Sequence, residues 1–218
     1  IDDMFAEMLR HVKKLEHPAI KALAGRYFED GPLMEQFCRA PAAASLHHAY
    51  LGGLLEHTLQ LLRIADMLLP LYPQLSGDIV RMGLFLHDLG KFEELTWETG
   101  FAYTDDGQLV GHIARGLVWL NDKARACAEM DEPIVIPTPI LRTLEHIIIS
   151  HHGEAEFGAL KTPSTPEVIL INHIDNIDAK QNMALAAADR ESGKDGFTEK
   201  IWSMNNTRIY RPDPTTVK

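Results

Sequence analysis

Eleven histidines in 218 residues is a high count, and the informative ones stand beside aspartates. His87 and Asp88 are adjacent in the segment HDLGK, with Leu84, Phe85 and Leu86 before them and Leu89 after. A carboxylate in such apolar company is costly unless it is paired or coordinates a cation, so a metal ion or an ammonium partner is expected. Lys91 supplies an ammonium three residues past Asp88. If helical geometry continues, it pairs with Asp88 or meets a substrate phosphate. Asp175 in VILINHIDNIDAK is another carboxylate set among isoleucines and a natural last ligand, with Asp178 one turn beyond. His57 has Leu54 at i−3 and Leu61 at i+4. It therefore faces inward, either as a hydrogen-bonded core imidazole or as a ligand. His112 follows Gly111, and the pair His151-His152 precedes Gly153. These three could hold a second ion, while a histidine pair at a helix end also suits dipole stabilisation of a C-terminus.

The elements that must position these groups are helical. Apolar residues recur at helical spacing through most of the chain, and runs of strict alternation are nearly absent, so the fold class is all-α. A long helix is expected from Ser45, its candidate cap, to Leu69, ended by Pro70 and Pro73. A second helix runs from about Gly77, with Gly90 closing its C-terminus and His87-Asp88 in its last turn. The turn residues within 97–108 predict a small loop or hairpin insertion between helices. Three further helices are expected over Leu109–Met130, Thr138–His151 and about Pro166–Arg190. The domain reading is an N-terminal helical segment over 1–44 packed on the core, the main domain over 45–195, and a polar tail over 196–218.

Composition excludes several classes. With 45% apolar and 24% charged residues the chain is globular rather than disordered. Its longest apolar runs fall far short of the roughly 20 residues of a membrane span, so no membrane partner is expected. The N-terminus carries no secretory pattern, and Cys38 and Cys127 have neither pairing nor zinc spacing. Both observations suit a reducing cytoplasm. The net charge of −10 repels a polyphosphate at long range, so nucleic-acid contact requires a local basic patch or bound cations.

The order His57, His87-Asp88, Asp175 resembles the signature of the HD-domain phosphohydrolase superfamily. More narrowly, APAAASLHHAYLGGLLEHTL, HDLGK, YTDDGQLVGHI, SHHG and IDNIDAK are similar to the HD domain of the YhaM-type 3′-5′ exoribonuclease family, over nearly the whole chain. The family also carries an N-terminal OB-type domain; residues 1–44 read as helical and are too few to make one. The resemblance implies an HD helical bundle in which His57, His87, Asp88 and Asp175 bind one ion. Asp88 then bridges to a second ion held by His112, His151 and His152, and Lys91 contacts the scissile phosphate. It extends to the HHAY segment, where His48 is a candidate substrate contact. Asp88 and Lys91 are the candidate catalytic residues. Five imidazoles and two carboxylates are too nitrogen-rich a set for magnesium or calcium and suit manganese, iron, cobalt, nickel or zinc, with manganese or iron favoured. The expected activity is phosphodiester hydrolysis on a nucleotide or a short single-stranded RNA or DNA, from its 3′ end. Mononucleotide or cyclic-dinucleotide hydrolysis and a non-catalytic metal-containing regulatory module are the alternatives, and a homo-oligomer is compatible with all three.

Overall fold

The computed structural model describes residues 1–43, 50–97, 100, 102–189 and 196–211. Three short helices open the chain: α1 (Asp2–Val12), α2 (Pro18–Phe28) and α3 (Gly31–Arg39). Capping sets two of their starts. The His17 Nδ1 accepts from the Ala19 N–H, and the Asp30 carboxylate accepts from the Leu33 N–H.

The next helix, α4 (Gly53–Leu68), begins later than the expected start at Ser45, which lies outside the described residues. The reason is Gly52, whose φ of 83° is left-handed and cannot continue a helix. The Gly52 N–H donates to the Arg39 carbonyl and the Leu54 N–H to the Ala40 carbonyl, so α4 starts tied to the end of α3.

A second boundary also moves. Helix α5 (Gly77–Leu86) stops before His87, residues 87–90 form turns, and α6 (Lys91–Glu94) follows. Gly90 is therefore not a left-handed cap, and its φ is −59°. Its missing side chain serves a close approach instead: a Cβ there would stand 2.2 Å from the His112 carbonyl oxygen.

The insertion expected near residues 97–108 is a minimal hairpin placed slightly earlier. Strand β1 (Leu95–Thr96) pairs antiparallel with β2 (Ala102–Tyr103), Leu95 opposite Tyr103. The Asp105-Asp106-Gly107 run, read as a turn, instead opens the short helix α7 (Asp105–Leu109), because the Thr104 hydroxyl accepts from the Gly107 N–H. Then come α8 (Gly111–Ala128), α9 (Thr138–Ser150) and α10 (Pro166–Asp189), so the described residues are all-α apart from the hairpin and two isolated bridges.

Two compact units emerge, Ile1–Asp175 and Asn176–Lys218. In the first, α4 and α5 pack together, α9 packs on both α5 and α8, and α1, α2 and α3 close the outside. Leu54, Leu55, Leu59, Leu61 and Leu62 of α4 are buried with Phe85, Ile147, Ile148, Ile171 and Ile174. Burial of each such side chain contributes up to about 1.5–3 kcal/mol. Phe85 anchors the outer layer, with Phe28 stacked on it and Tyr27 and Phe37 edge-on. Gly83 lets α5 approach its neighbours closely, since a Cβ there would meet Ile147 Cδ1 at 2.7 Å and Ile171 Cδ1 at 2.8 Å. That approach, one turn before His87, brings three candidate ligand-bearing segments together.

In the second unit the chain folds back over Phe197–Arg211 through bridges between Phe197 and Tyr210 and between Ile201 and Thr207. Among the described residues no helix is long and apolar enough to cross a membrane.

Candidate metal centre

Six elements or their ends deliver side chains to one buried point of the first unit. His57 comes from the second turn of α4, His87 and Asp88 from just past α5, and Lys91 from the start of α6. His112 opens α8, His151 and His152 follow α9, and Asp175 lies in α10. Two overlapping groups share Asp88: one with His57 and His87, the other with His112, His151 and His152. Within each group one ligand atom per residue lies within 4.8 Å of all the others.

The helix ends explain how the rings are held. His87 is the C-cap of α5, and its Nδ1 lies 2.8 Å from the Leu84 carbonyl oxygen. His151 is the C-cap of α9, and its Nδ1 lies 2.9 Å from the Ile148 carbonyl oxygen. In both cases the partner is an i−3 carbonyl of the last turn, an otherwise orphaned acceptor. A carbonyl oxygen only accepts, so each Nδ1 must carry its proton and donate. In the neutral ring the Nε2 lone pair then points inward. Burial pushes the His151 imidazole down toward this neutral form. The negative ends of the α5 and α9 dipoles also meet at the point, which favours a cation.

At the N-terminus of α8 the same task falls to a carboxylate. Glu94 accepts from the His112 Nδ1 at 3.0 Å and from the His112 N–H at 3.2 Å. Burial pushes the Glu94 carboxyl up, but the hydrogen bond from His112 outweighs it and holds the group below its usual range. Nothing local in the sequence distinguishes Glu94 from Glu93. Gly107 is part of this arrangement, because a Cβ there would stand 2.2 Å from the Glu94 carbonyl oxygen.

Asp88 is 3% exposed. Its Oδ1 stands 3.4 Å from His151 Nε2 and 3.5 Å from His112 Nε2, and its Oδ2 stands 3.4 Å from His87 Nε2. Burial pushes the carboxyl up, yet the Lys91 ammonium holds it well below the usual carboxylate range. His57 Nε2 is 3.3 Å from Asp175 Oδ1 and 3.7 Å from Asp88 Oδ2. Burial likewise raises Asp175, and His57 brings it below its ordinary value. Burial holds the His152 ring down to about 3, with His151 adding to the effect.

These residues fit a metal on one direct observation. His87 Nε2, His112 Nε2, His151 Nε2, His152 Nδ1 and Asp88 Oδ1 are buried with no hydrogen-bond partner. Inward lone pairs facing a carboxylate repel it, and buried polar atoms left unpaired cost about 1–3 kcal/mol each. A cation among them converts every one of these repulsions into coordination.

Lys91 lies where both of its expected roles remain open. Its Nζ is 2.6 Å from Asp88 Oδ2, an ion pair made at i,i+3, and Asp88 in turn raises the ammonium against the lowering effect of burial. His48 and Ser45 lie outside the described residues. His11, His17 and His146 bond instead to Asp66, the Ala19 N–H and the Ser164 N–H respectively.

Comparison with known proteins gives the family. The model of the HD domain matches residues 54–180, and the chain belongs to the HD domain family. Among curated proteins it is similar to the 3′-5′ exoribonuclease YhaM of Shouchella clausii, with 35% identity over 97% of this chain and 63% of that protein. YhaM of Bacillus pumilus is 31% identical over 96% of this chain and 64% of its own length. For YhaM of a Geobacillus species the figures are 34%, 97% and 62%. The chain thus spans less than two thirds of the length of these relatives. No solved structure matches it.

Proposed function

We propose that the chain hydrolyses nucleotidyl phosphodiester bonds, taking the 3′ end of single-stranded RNA or DNA, with two divalent transition-metal ions, manganese or iron before cobalt, nickel or zinc. His57, His87, Asp88 and Asp175 would hold one ion, and His112, His151 and His152 the other, with Asp88 between them. The observation that carries this reading is the set of five unpartnered buried atoms converging around Asp88. The nitrogen-rich donors favour these ions over magnesium or calcium. The names of the relatives support an oligonucleotide substrate.

When bound, two such ions stabilise the attacking and leaving oxygens of a phosphoryl displacement and acidify water. The protein supplies the rest. The Leu84 and Ile148 carbonyls and the Glu94 carboxylate fix the tautomers and planes of three imidazoles before any ligand arrives. Lys91 is held at the edge of the cluster by Asp88, and its ammonium can turn to a phosphate oxygen as charge builds there. The burial of the cluster excludes competing water from the rings.

The test is elemental analysis of the purified chain, together with manganese-supplemented hydrolysis of a labelled oligonucleotide, deoxynucleoside monophosphates and a cyclic dinucleotide. Near two ions per chain and stepwise shortening from the 3′ end are expected. Two ions with turnover of only the mononucleotides or the cyclic dinucleotide would replace the substrate. Metal without turnover of any of them would leave a regulatory module, and absence of metal would sink the site.

A further inference from the structure

Within the segment read from sequence as a polar tail, residues 196–211 form a small tied ribbon. Over Gly196–Arg211 the Thr198 N–H donates to the Ile209 carbonyl, and the Thr198 hydroxyl accepts from the Ile209 N–H. The turn passes through Asn205 and Asn206, both in the left-handed region, where asparagine is among the best-tolerated residues. Thr198 is buried at the base, and the Arg208 Nε donates to its carbonyl.

The ribbon differs in charge from the chain that carries it. It holds Lys200, Arg208 and Arg211 against Glu199 alone, in a protein of net charge −10. It also leaves large aromatic rings in water: Trp202 is 75% exposed and Tyr210 is 59% exposed. The Phe197 ring carries the Arg208 guanidinium at 5.2 Å and packs on Tyr210 with centroids 4.9 Å apart. Exposed rings interleaved with cations are how single strands are held without sequence preference. Any base can stack on a ring, and the cations meet phosphates. The acidity of the whole protein makes such a local patch necessary if a polyanion is to approach at all.

We propose that the ribbon over residues 196–211 is a contact surface for a single-stranded oligonucleotide, with Trp202 and Tyr210 as stacking platforms and Lys200 facing phosphates. It rests on the nucleic-acid reading of the metal centre but fails separately from it. The cations are complementary to a polyanion, and the exposed rings select a nucleic acid over a second acidic copy of this chain, which offers carboxylates but no bases to stack.

The experiment is a titration of the metal-loaded full chain with an oligoadenylate carrying phosphorothioate linkages, followed by tryptophan fluorescence. Quenching is expected, and the share due to this ring should vanish in Trp202→Phe. Trp202→Ala should bind about tenfold more weakly. Lys200→Ala, a change at an exposed position, should reduce the slope of log affinity against log salt by about 0.7. Hydrolysis of bis(p-nitrophenyl) phosphate, which requires only the metal centre, should be unchanged in all three variants and certifies that they fold. Wild-type affinity and salt slope in both Trp202→Ala and Lys200→Ala would overturn the proposal, as would a self-association that Trp202→Ala abolishes while oligonucleotide affinity stays intact. Quenching through Trp202 by an unmodified oligonucleotide that is never shortened would keep the ribbon and defeat the substrate reading instead.

Discussion

Two clusters in the first unit join a histidine to an aspartate, and they have opposite electrostatics. Around Asp66, every demand is met by protein. Its Oδ1 accepts from Arg81 Nε and Nη2 at 3.1 and 2.9 Å, and its Oδ2 accepts from His11 Nδ1 at 2.8 Å and from Lys14. This is a strut joining α1, α4 and α5. Around Asp88, the rings turn donors outward to carbonyls and Glu94, and leave acceptors facing a carboxylate. A histidine beside an aspartate is common to both clusters. What separates a ligand site from a strut is whether the buried lone pairs already have partners.

Breaking each cluster should therefore have different consequences. The largest effect is expected at Asp88→Ala, which removes the shared carboxylate: bound metal by elemental analysis, hydrolysis, and the gain in Tm on adding manganese should all be lost. Retention of wild-type metal content would refute the bridging role. In contrast, Lys91→Ala should keep metal content while slowing turnover, since in the proposed site this ammonium meets a substrate phosphate rather than the ions.

Glu94→Gln sharpens the comparison from inside the site. An amide cannot hold the His112 tautomer as a carboxylate does, so metal affinity should fall by about 10–100-fold, read by competition with a chelator. The α8 N-terminus keeps an acceptor in the amide oxygen, so the circular dichroism spectrum should not change.

The smallest effect is expected at the strut. Asp66→Ala should cost about 1–2 kcal/mol in urea unfolding, a partly exposed network being screened by solvent, and leave metal content and turnover per folded molecule unchanged. Burial raises the Asp66 carboxyl, but Lys14 and Arg81 bring it below its usual value. A depressed folded-state value means a contribution present above the unfolded carboxylate range and lost as pH falls through the folded one. The stability difference between wild type and Asp66→Asn should thus shrink below about pH 4. A constant difference across that window would deny the pairing its stabilising role.

Much of the site was legible because its chemistry is local in sequence. His87-Asp88 among leucines, the His151-His152 pair before a glycine, and Asp175 among isoleucines each announce a polar group where an apolar one is expected. The helices were legible by periodicity, and α9 and α10 start where proline and capping patterns put them. Errors fell at glycines. Gly52 ended a predicted helix run because its φ is positive, and Gly90 looked like a cap when it is a point of contact with α8. A glycine's identity is visible in sequence, but the neighbour that requires it is not.

The sequence by itself determined the fold class, the family and the seven candidate ligands, because residue type and helical spacing are properties of the chain alone. Only the tertiary structure decided which nitrogen of each ring faces inward. That depends on a carbonyl three residues back being left over at a helix end, and on Glu94, eighteen residues before His112, arriving beside it. Tautomer and orientation are set by partners in space, and partners in space exist only once α5, α6, α8 and α9 have packed.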